Sequence, residues 1–373
     1  MLGIKLYKEK ISRDVKAIGR LMISIGLYYF HILNLFRFIN RKLQRNESIK
    51  ILAYHNIGNG KYLNLDVPEE MFRNHIEFLI RHNFNMISLG DAVKLLKSTH
   101  PIPKDTIVIT FDDGYKSMYT SVLPLVKKYN IPITIFLCVD PLEKQYPLFI
   151  DALIYAVDNS IEKNLDLSSF GLKNYSLKSS PLKEQAIREI NEYSKILCKL
   201  KKEKLLAFIF EQLKIDIANP ELRNKMLSWD EIKEMKRYAV TFGAHSISHR
   251  VLSNIPLGDA GKEIFTSKKI IEEKLGENIT LFAYPYGSNK DFNIEVVKVV
   301  EQNGFSCACT LLAGDNKKGD NLFSLKRIMI INNISIKPLM IFSTALFATK
   351  ISGILMCSYL NLLRSKTQLP ESV

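Results

Sequence analysis

Cysteine is scarce in this chain of 373 residues, with five in all, and tryptophan occurs once. Cys138, Cys198, Cys307, Cys309 and Cys357 are odd in number and irregularly spaced, which argues against a disulfide framework. Cys307 and Cys309 are separated by one residue rather than two, so zinc-knuckle spacing is excluded as well. This usage suits a reducing compartment. No ordinary signal peptide opens the sequence: the apolar run begins only near Leu21, and no small-residue cleavage site follows it. Long unbroken apolar runs are also lacking. Residues 21–39 are interrupted by His31, Asn34 and Arg37, and residues 339–363 by Lys350, whereas a membrane span needs roughly 20 mostly apolar residues. There is no internal repeat, no low-complexity tract and no nucleic-acid motif, so nucleic acid is not an expected partner despite a formal net charge of +14.

An apolar content of 47% with 24% charged residues is that of a globular chain with a sizeable core. The charge is uneven. Residues 1–50 hold eleven Lys and Arg against three Asp and Glu. Residues 1–47 therefore read as a basic helical arm, best suited to lie on an anionic membrane surface. A spanning helix and a helix packed on the protein's own body remain alternatives. The expected location is cytoplasmic or membrane-peripheral.

From residue 48 onwards, apolar strands alternate with helical patterns. IKILAYH (49–55), TIVITF (106–111), IPITIFLCV (131–139), VTFGAHS (240–246), TLFAYPYG (280–287), FSCACT (305–310) and LFSLKRIMI (322–330) read as strands. PEEMFRNHIEFLIRHN (68–83), SLGDAVKLLKS (88–98), SVLPLVKKYN (121–130), WDEIKEMKRY (229–238), KEIFTSKKIIEEKLG (262–276) and NIEVVKVVEQNG (293–304) read as helices. Such alternation implies an α/β fold with a parallel sheet. Residues 145–225 break the rhythm as a lysine-rich, strand-poor helical insertion. Residues 333–373 form an apolar tail, read as packed or interfacial helices.

Several strands end in polar residues that a buried strand does not otherwise select: Tyr54 and His55, Asp112 and Asp113, His245, and Pro285-Tyr286-Gly287. In parallel α/β folds, sites form at the C-terminal strand ends. Adjacent carboxylates repel unless a cation or hydrogen bonds neutralise them, and Gly114 permits a turn that re-aims them. The plainer alternative is a helix N-cap with a spare acid. His245 and His249 are four apart, a spacing at which both rings converge in a helical turn, with Ser246 and Ser248 as supporting hydrogen-bond partners. Two imidazoles and one carboxylate compose a site for one divalent metal that leaves room for water and substrate, and the other carboxylate is then free to act as a base.

TFDDGY, HSISH and AYPYG, in this order and each after a strand, resemble the polysaccharide deacetylases of carbohydrate esterase family 4, the NodB-type domain. The LAYH strand and the SWDEIKEM helix share the resemblance, which covers roughly residues 48–332. It implies a distorted (β/α) barrel of about seven strands that removes N- or O-acetyl groups from an acetylated glycan. By motif, Asp113, His245 and His249 would bind the metal, commonly zinc, and Asp112 would be the base. Pro285, Tyr286 and Gly287 would line the acetyl pocket, with the Tyr286 N–H assisting at the oxyanion. Two departures stand out. Many members carry an arginine two residues before Pro-Tyr-Gly, where this chain has Ala283. Many also carry a late Leu-x-His supplying the general acid, and no histidine follows His249. Arg327 is a candidate to orient a carboxylate or the substrate, and His55 a candidate for the acid. A deacylase of a non-sugar amide and a non-catalytic glycan-binding domain are the competing functions.

Overall fold

The computed structural model describes residues 47–58, 66–332 and 343–352, together with Gly19, Met22, Ile23 and Gly26. Most of residues 21–39, on which the membrane reading falls, lie outside the described residues, as do 333–342 and the tail beyond Ser352. Among the described residues no helix is long and apolar enough to cross a membrane.

Strands β1 (Lys50–Tyr54), β2 (Asn85–Met86), β3 (Thr106–Phe111) and β4 (Ile133–Leu137) precede the insertion, which holds a short hairpin, β5 (Asn164–Asp166) with β6 (Asn174–Ser176). After it come β7 (Val240–Ala244), β8 (Leu281–Ala283), β9 (Cys307–Cys309) and β10 (Ile328–Met329). The main sheet is parallel throughout, in the order β10-β1-β3-β4-β7-β8-β9, with the two-residue β2 paired to the start of β3. The last segment touches both ends of this row. Leu325 bridges to Cys309 of β9, and Ile328 pairs with Leu52 of β1. The sheet therefore curls towards closure as a distorted (β/α) barrel.

Two apolar layers follow from period-two alternation along the strands. On β3, Ile107, Ile109 and Phe111 face the main helix-covered core, while Val108 joins a second buried set with Phe136, Leu281, Ala283, Cys309 and Leu325. The curl is tight enough to demand glycine at 243: a Cβ there would lie 2.7 Å from Phe136 and 2.8 Å from the Leu281 carbonyl oxygen.

Helices α1 (Glu69–Arg81), α2 (Leu89–Lys97), α3 (Leu123–Tyr129) and α4 (Val139–Lys144) fall between the early strands or directly after them. Ser88 caps α2 by accepting the Asp91 N–H, which satisfies a donor that the first helical turn leaves open. The insertion holds α5 (Phe149–Asn159), α6 (Ser180–Ser194) and α7 (Lys199–Gln212). Leu153, Ala156, Ile187, Ile190, Ile209 and Phe210 give these helices a hydrophobic core of their own. Helix α8 (Trp229–Met235) opens with a capping box between Ser228 and Glu231. It is followed by α9 (Leu257–Leu275) and α10 (Ile294–Gln302). The tail helix α11 (Ser343–Ser352) packs on α1, where Phe347 stacks on His75 at 4.0 Å.

Candidate active site

The alternation that splits the core also aims the chemistry. Asp112 continues the inward register of Val108 and Thr110. It is buried and gripped by Arg327: Nη1 donates to Oδ1 at 2.7 Å and Nη2 to Oδ2 at 2.8 Å. Arg327 itself has 0% exposure. Its remaining donors reach the Thr310 carbonyl (Nε, 2.8 Å) and Thr110 Oγ1 (3.2 Å), and its plane lies over the Phe136 ring. Burial pushes the Asp112 carboxyl up, but the Arg327 charge and hydrogen bonds outweigh it, so the carboxyl sits below the usual carboxylate range.

Asp113 adopts a left-handed backbone, φ 76°, and points elsewhere. Its Oδ1 lies 3.2 Å from His249 Nε2 and 3.5 Å from His245 Nε2, and ligand atoms of all three residues fall within 4.8 Å of one another. That oxygen is buried without a hydrogen-bond partner. Burial works against ionisation of Asp113, yet the neighbouring His249 outweighs it and holds the carboxyl well below its ordinary value. Across the cluster, His245 Nδ1 donates to the Ala283 carbonyl at 2.7 Å. A carbonyl only accepts, so Nδ1 carries the hydrogen and Nε2 presents its lone pair. Burial lowers the His245 imidazole to about 4, which keeps it neutral at pH 7. An orphaned buried acceptor facing two imidazole nitrogens fits a divalent cation, and the donor set suits zinc.

The two histidines do not converge through a helical turn, as their spacing predicts. The connecting segment is a loop in which Ser246 (φ 63°) and His249 (φ 53°) are left-handed. The serines also act differently from expectation. Ser246 Oγ accepts the His249 N–H at 3.1 Å, and Ser248 Oγ donates to Glu263 Oε1 at 2.5 Å. Glu263 on α9 further accepts the N–H groups of Ile247 (3.0 Å) and Ser248 (2.9 Å). This clamp holds the loop that carries His249, and the motifs did not reveal it. Its signal was present in the sequence: an acid on the helix face shared by Ala260, Ile264, Ser267 and Ile271.

His55 Nε2 stands 3.9 Å from Asp112 Oδ2, while Tyr54 turns away and meets His75 Nδ1 through its hydroxyl at 3.1 Å. Tyr54 thus leaves the group of polar strand ends and belongs to the core. At the Pro285-Tyr286-Gly287 turn, Tyr286 and Gly287 are left-handed (φ 62° and 68°), and a Cβ on Gly287 would lie 2.7 Å from the Leu311 nitrogen. The Tyr286 ring packs against His249 at 4.7 Å. The structure thus gathers Asp112, Asp113, His245, His249, Arg327 and His55 with the Tyr286 turn.

A parallel barrel with carboxylates and imidazoles at the C-terminal strand ends is an enzyme's architecture. The polysaccharide deacetylase family matches residues 99–167 and 181–308, more than half of the sequence. The chain belongs to that family and is a hydrolase of carbon–nitrogen bonds. It is 21% identical over 289 residues to the YxkH protein of Bacillus subtilis (strain 168), covering 78% of this chain and 74% of that one. It is 31% identical over 99 residues to the poly-β-1,6-N-acetyl-D-glucosamine N-deacetylase of Staphylococcus epidermidis, covering 26% of this chain and 32% of that one. The fold is similar to that of the Streptococcus pyogenes deacetylase PplD solved with acetate (TM-score 0.52, 18% identity, 79% of this chain and 98% of that one). It is also similar to IcaB from Ammonifex degensii (TM-score 0.51, 17% identity, 80% and 98%).

Proposed function

We propose that this protein removes N-linked acetyl groups from amino sugars of a glycan, with one divalent metal, zinc by the chemistry of its donors, held by Asp113, His245 and His249. The observation that carries this reading is the buried, unpartnered Asp113 oxygen facing two imidazole nitrogens, beside a second carboxylate that Arg327 holds still. The name of the Staphylococcus epidermidis relative, an N-deacetylase of poly-β-1,6-N-acetyl-D-glucosamine, supports the substrate class.

When bound, the metal supplies Lewis acidity at the acetyl carbonyl and eases deprotonation of the attacking water. Asp112 accepts the proton from that water. Arg327 fixes both Asp112 oxygens, so the base does not rotate out of line. The Tyr286 N–H, which donates to no other group among the described residues, hydrogen-bonds the oxygen on which negative charge develops. The C–N bond then breaks, and His55 supplies the proton to the departing amine. His55 takes this part because no histidine follows His249 and its Nε2 already faces the Asp112 carboxylate. The reaction consumes water and yields acetate and a free amino sugar.

The basic arm supports a location for this activity at an anionic membrane surface. The functional test is acetate release from N-acetylglucosamine oligomers by the metal-loaded protein. Release by the wild type and a fall of ~100-fold or more in Asp112→Asn supports the reading. Absence of release from every oligomer by metal-loaded protein refutes it.

A further inference from the structure

Next to His249 and Tyr286, the insertion and the HSISHR loop line a half-open cavity of about 160 Å³. Its apolar wall includes Leu148, Phe149, Ile150 and Leu206, and Tyr146 also lines it. Four cations border this space, and two of them are neutralised. Lys199 is paired with Asp140 at 2.5 Å, and Lys144 with Glu203 at 3.1 Å. Lys202 and Arg250 have no carboxylate partner among the described residues. Arg250 Nε is buried without an acceptor, and so is the Tyr146 hydroxyl. Lys202 Nζ instead rests 5.2 Å over the Phe149 ring. Unsatisfied buried donors each cost roughly 1–3 kcal/mol, and their concentration around one cavity beside the metal ligands calls for an acceptor from outside. Burial and the charges of Arg250 and Lys195 lower the Lys202 ammonium to about 8, so it is still charged at pH 7.

We propose that this cavity is an anion subsite, where Tyr146, Lys202 and Arg250 bind a carboxylate or phosphate substituent of the glycan next to the sugar being deacetylated. Phe149 and Tyr286 line the same space, so the sugar and its substituent would meet one continuous wall, and the donors read the charge. This rests on the deacetylase reading of the metal site and narrows its substrate class to acidic glycans. The insertion thereby contributes to substrate choice, because α7 carries Lys202, and Lys195, just after α6, lies 4.7 Å from the Tyr286 ring centre.

The test compares kcat/KM of the metal-loaded full chain on three N-acetylhexosamine oligomers: neutral, alternating with a uronic acid, and phosphodiester-bearing. At least one anionic oligomer is expected to be preferred by ~10-fold or more, the scale of a charge-assisted hydrogen bond. Which of the two is preferred identifies the substituent. Lys202→Met and Arg250→Gln should bring the preference down towards unity, while Lys202→Arg retains it. Equal kcat/KM on all three oligomers, or a preference unmoved in both variants, overturns the proposal. Calorimetric binding of the same oligomers to the Asp112→Asn protein separates the two readings. If nothing is deacetylated but anionic oligomers bind selectively and Lys202→Met abolishes the selectivity, the deacetylase reading falls and the subsite stands. If binding shows no selectivity, the subsite falls.

Discussion

At the scale of single residues, the arrangement makes separable predictions for holding the metal and for moving protons. Replacing Asp113 or His245 with alanine removes a ligand outright, so metal analysis should fall from about one equivalent to near zero. Unchanged metal content would refute the assignment. Arg327→Lys keeps the charge but loses the planar fork, and with it the simultaneous grip on both Asp112 oxygens. The expected outcome is a kcat lower by roughly 10–100-fold with metal content intact. Lysine is the informative choice, because Arg327→Ala leaves a buried carboxylate unpaired at a cost of about 3–5 kcal/mol. Glu263→Gln keeps the size of the loop clamp and removes its charge. It should weaken metal affinity by roughly 10–100-fold through the loop, measured by chelator competition. The Asp113, His245 and His249 cluster was legible in the sequence because carboxylates and imidazoles follow apolar strands. The partners of Glu263 were not, because they lie fifteen and sixteen residues away in the chain and are mostly backbone N–H groups, which no motif encodes; only its place on the buried face of α9 was. Arg327 grips Asp112 from the segment just before β10, and only the curl of the sheet brings the two together.

Elements were most legible where burial was complete. TIVITF is a strand over the whole predicted range, Thr106–Phe111, because all six residues are buried and the run is rich in β-branched side chains. Predicted ends shorten where the site begins: VTFGAHS stops at Ala244, since His245 opens the loop whose left-handed Ser246 and His249 bring the two imidazoles together. The final strand shrinks most. Residues 322–324 form a 3₁₀ turn, which leaves only Ile328–Met329 on β1. Within the helical insertion predicted at 145–225, α6 and α7 are separate helices, broken between Lys195 and Cys198, and a short hairpin precedes them in place of pure helix. The α1–α11 contact carries a pH prediction. His75 is buried between Tyr54 and Phe347, and burial lowers its imidazole to about 3. Unfolded, it takes up a proton near its ordinary value of 6.5, whereas the folded state refuses it until about 3. Between these values the unfolded chain binds more protons, so stability drops as pH falls below about 6.5. Denaturation midpoints from pH 7.5 to 5 should therefore decline more steeply for the wild type than for His75→Gln. Parallel slopes would show that His75 does not couple the tail helix to pH.

For the whole molecule, the barrel and the insertion divide the labour. The barrel supplies the Asp113, His245 and His249 cluster from the segments that follow β3 and β7 and Arg327 from just before β10, and the insertion supplies the wall of the neighbouring cavity from α5 and α7. Alternation of strand and helix made the barrel legible. The insertion's position over the site was not, because its contacts with the HSISHR loop join segments far apart in sequence. The charge asymmetry acts at this scale too. With eleven basic against three acidic residues in positions 1–50, the N-terminal region carries more than half of the net charge of +14. Basic side chains near an anionic bilayer contribute about 1 kcal/mol each, and the attraction fades within a Debye length, ~10 Å at 0.1 M salt. The full chain should therefore float with vesicles containing anionic lipid at about 0.1 M salt, stay behind with neutral vesicles, and detach at about 0.5 M. Replacing Lys5, Lys8, Lys10 and Lys16 with serine should remove the flotation and leave acetate release from soluble oligomers unaltered. If the substituted protein floats as well as the wild type, the basic arm is not the anchor, and attachment must be sought in the apolar runs at 21–39 or 339–363 instead.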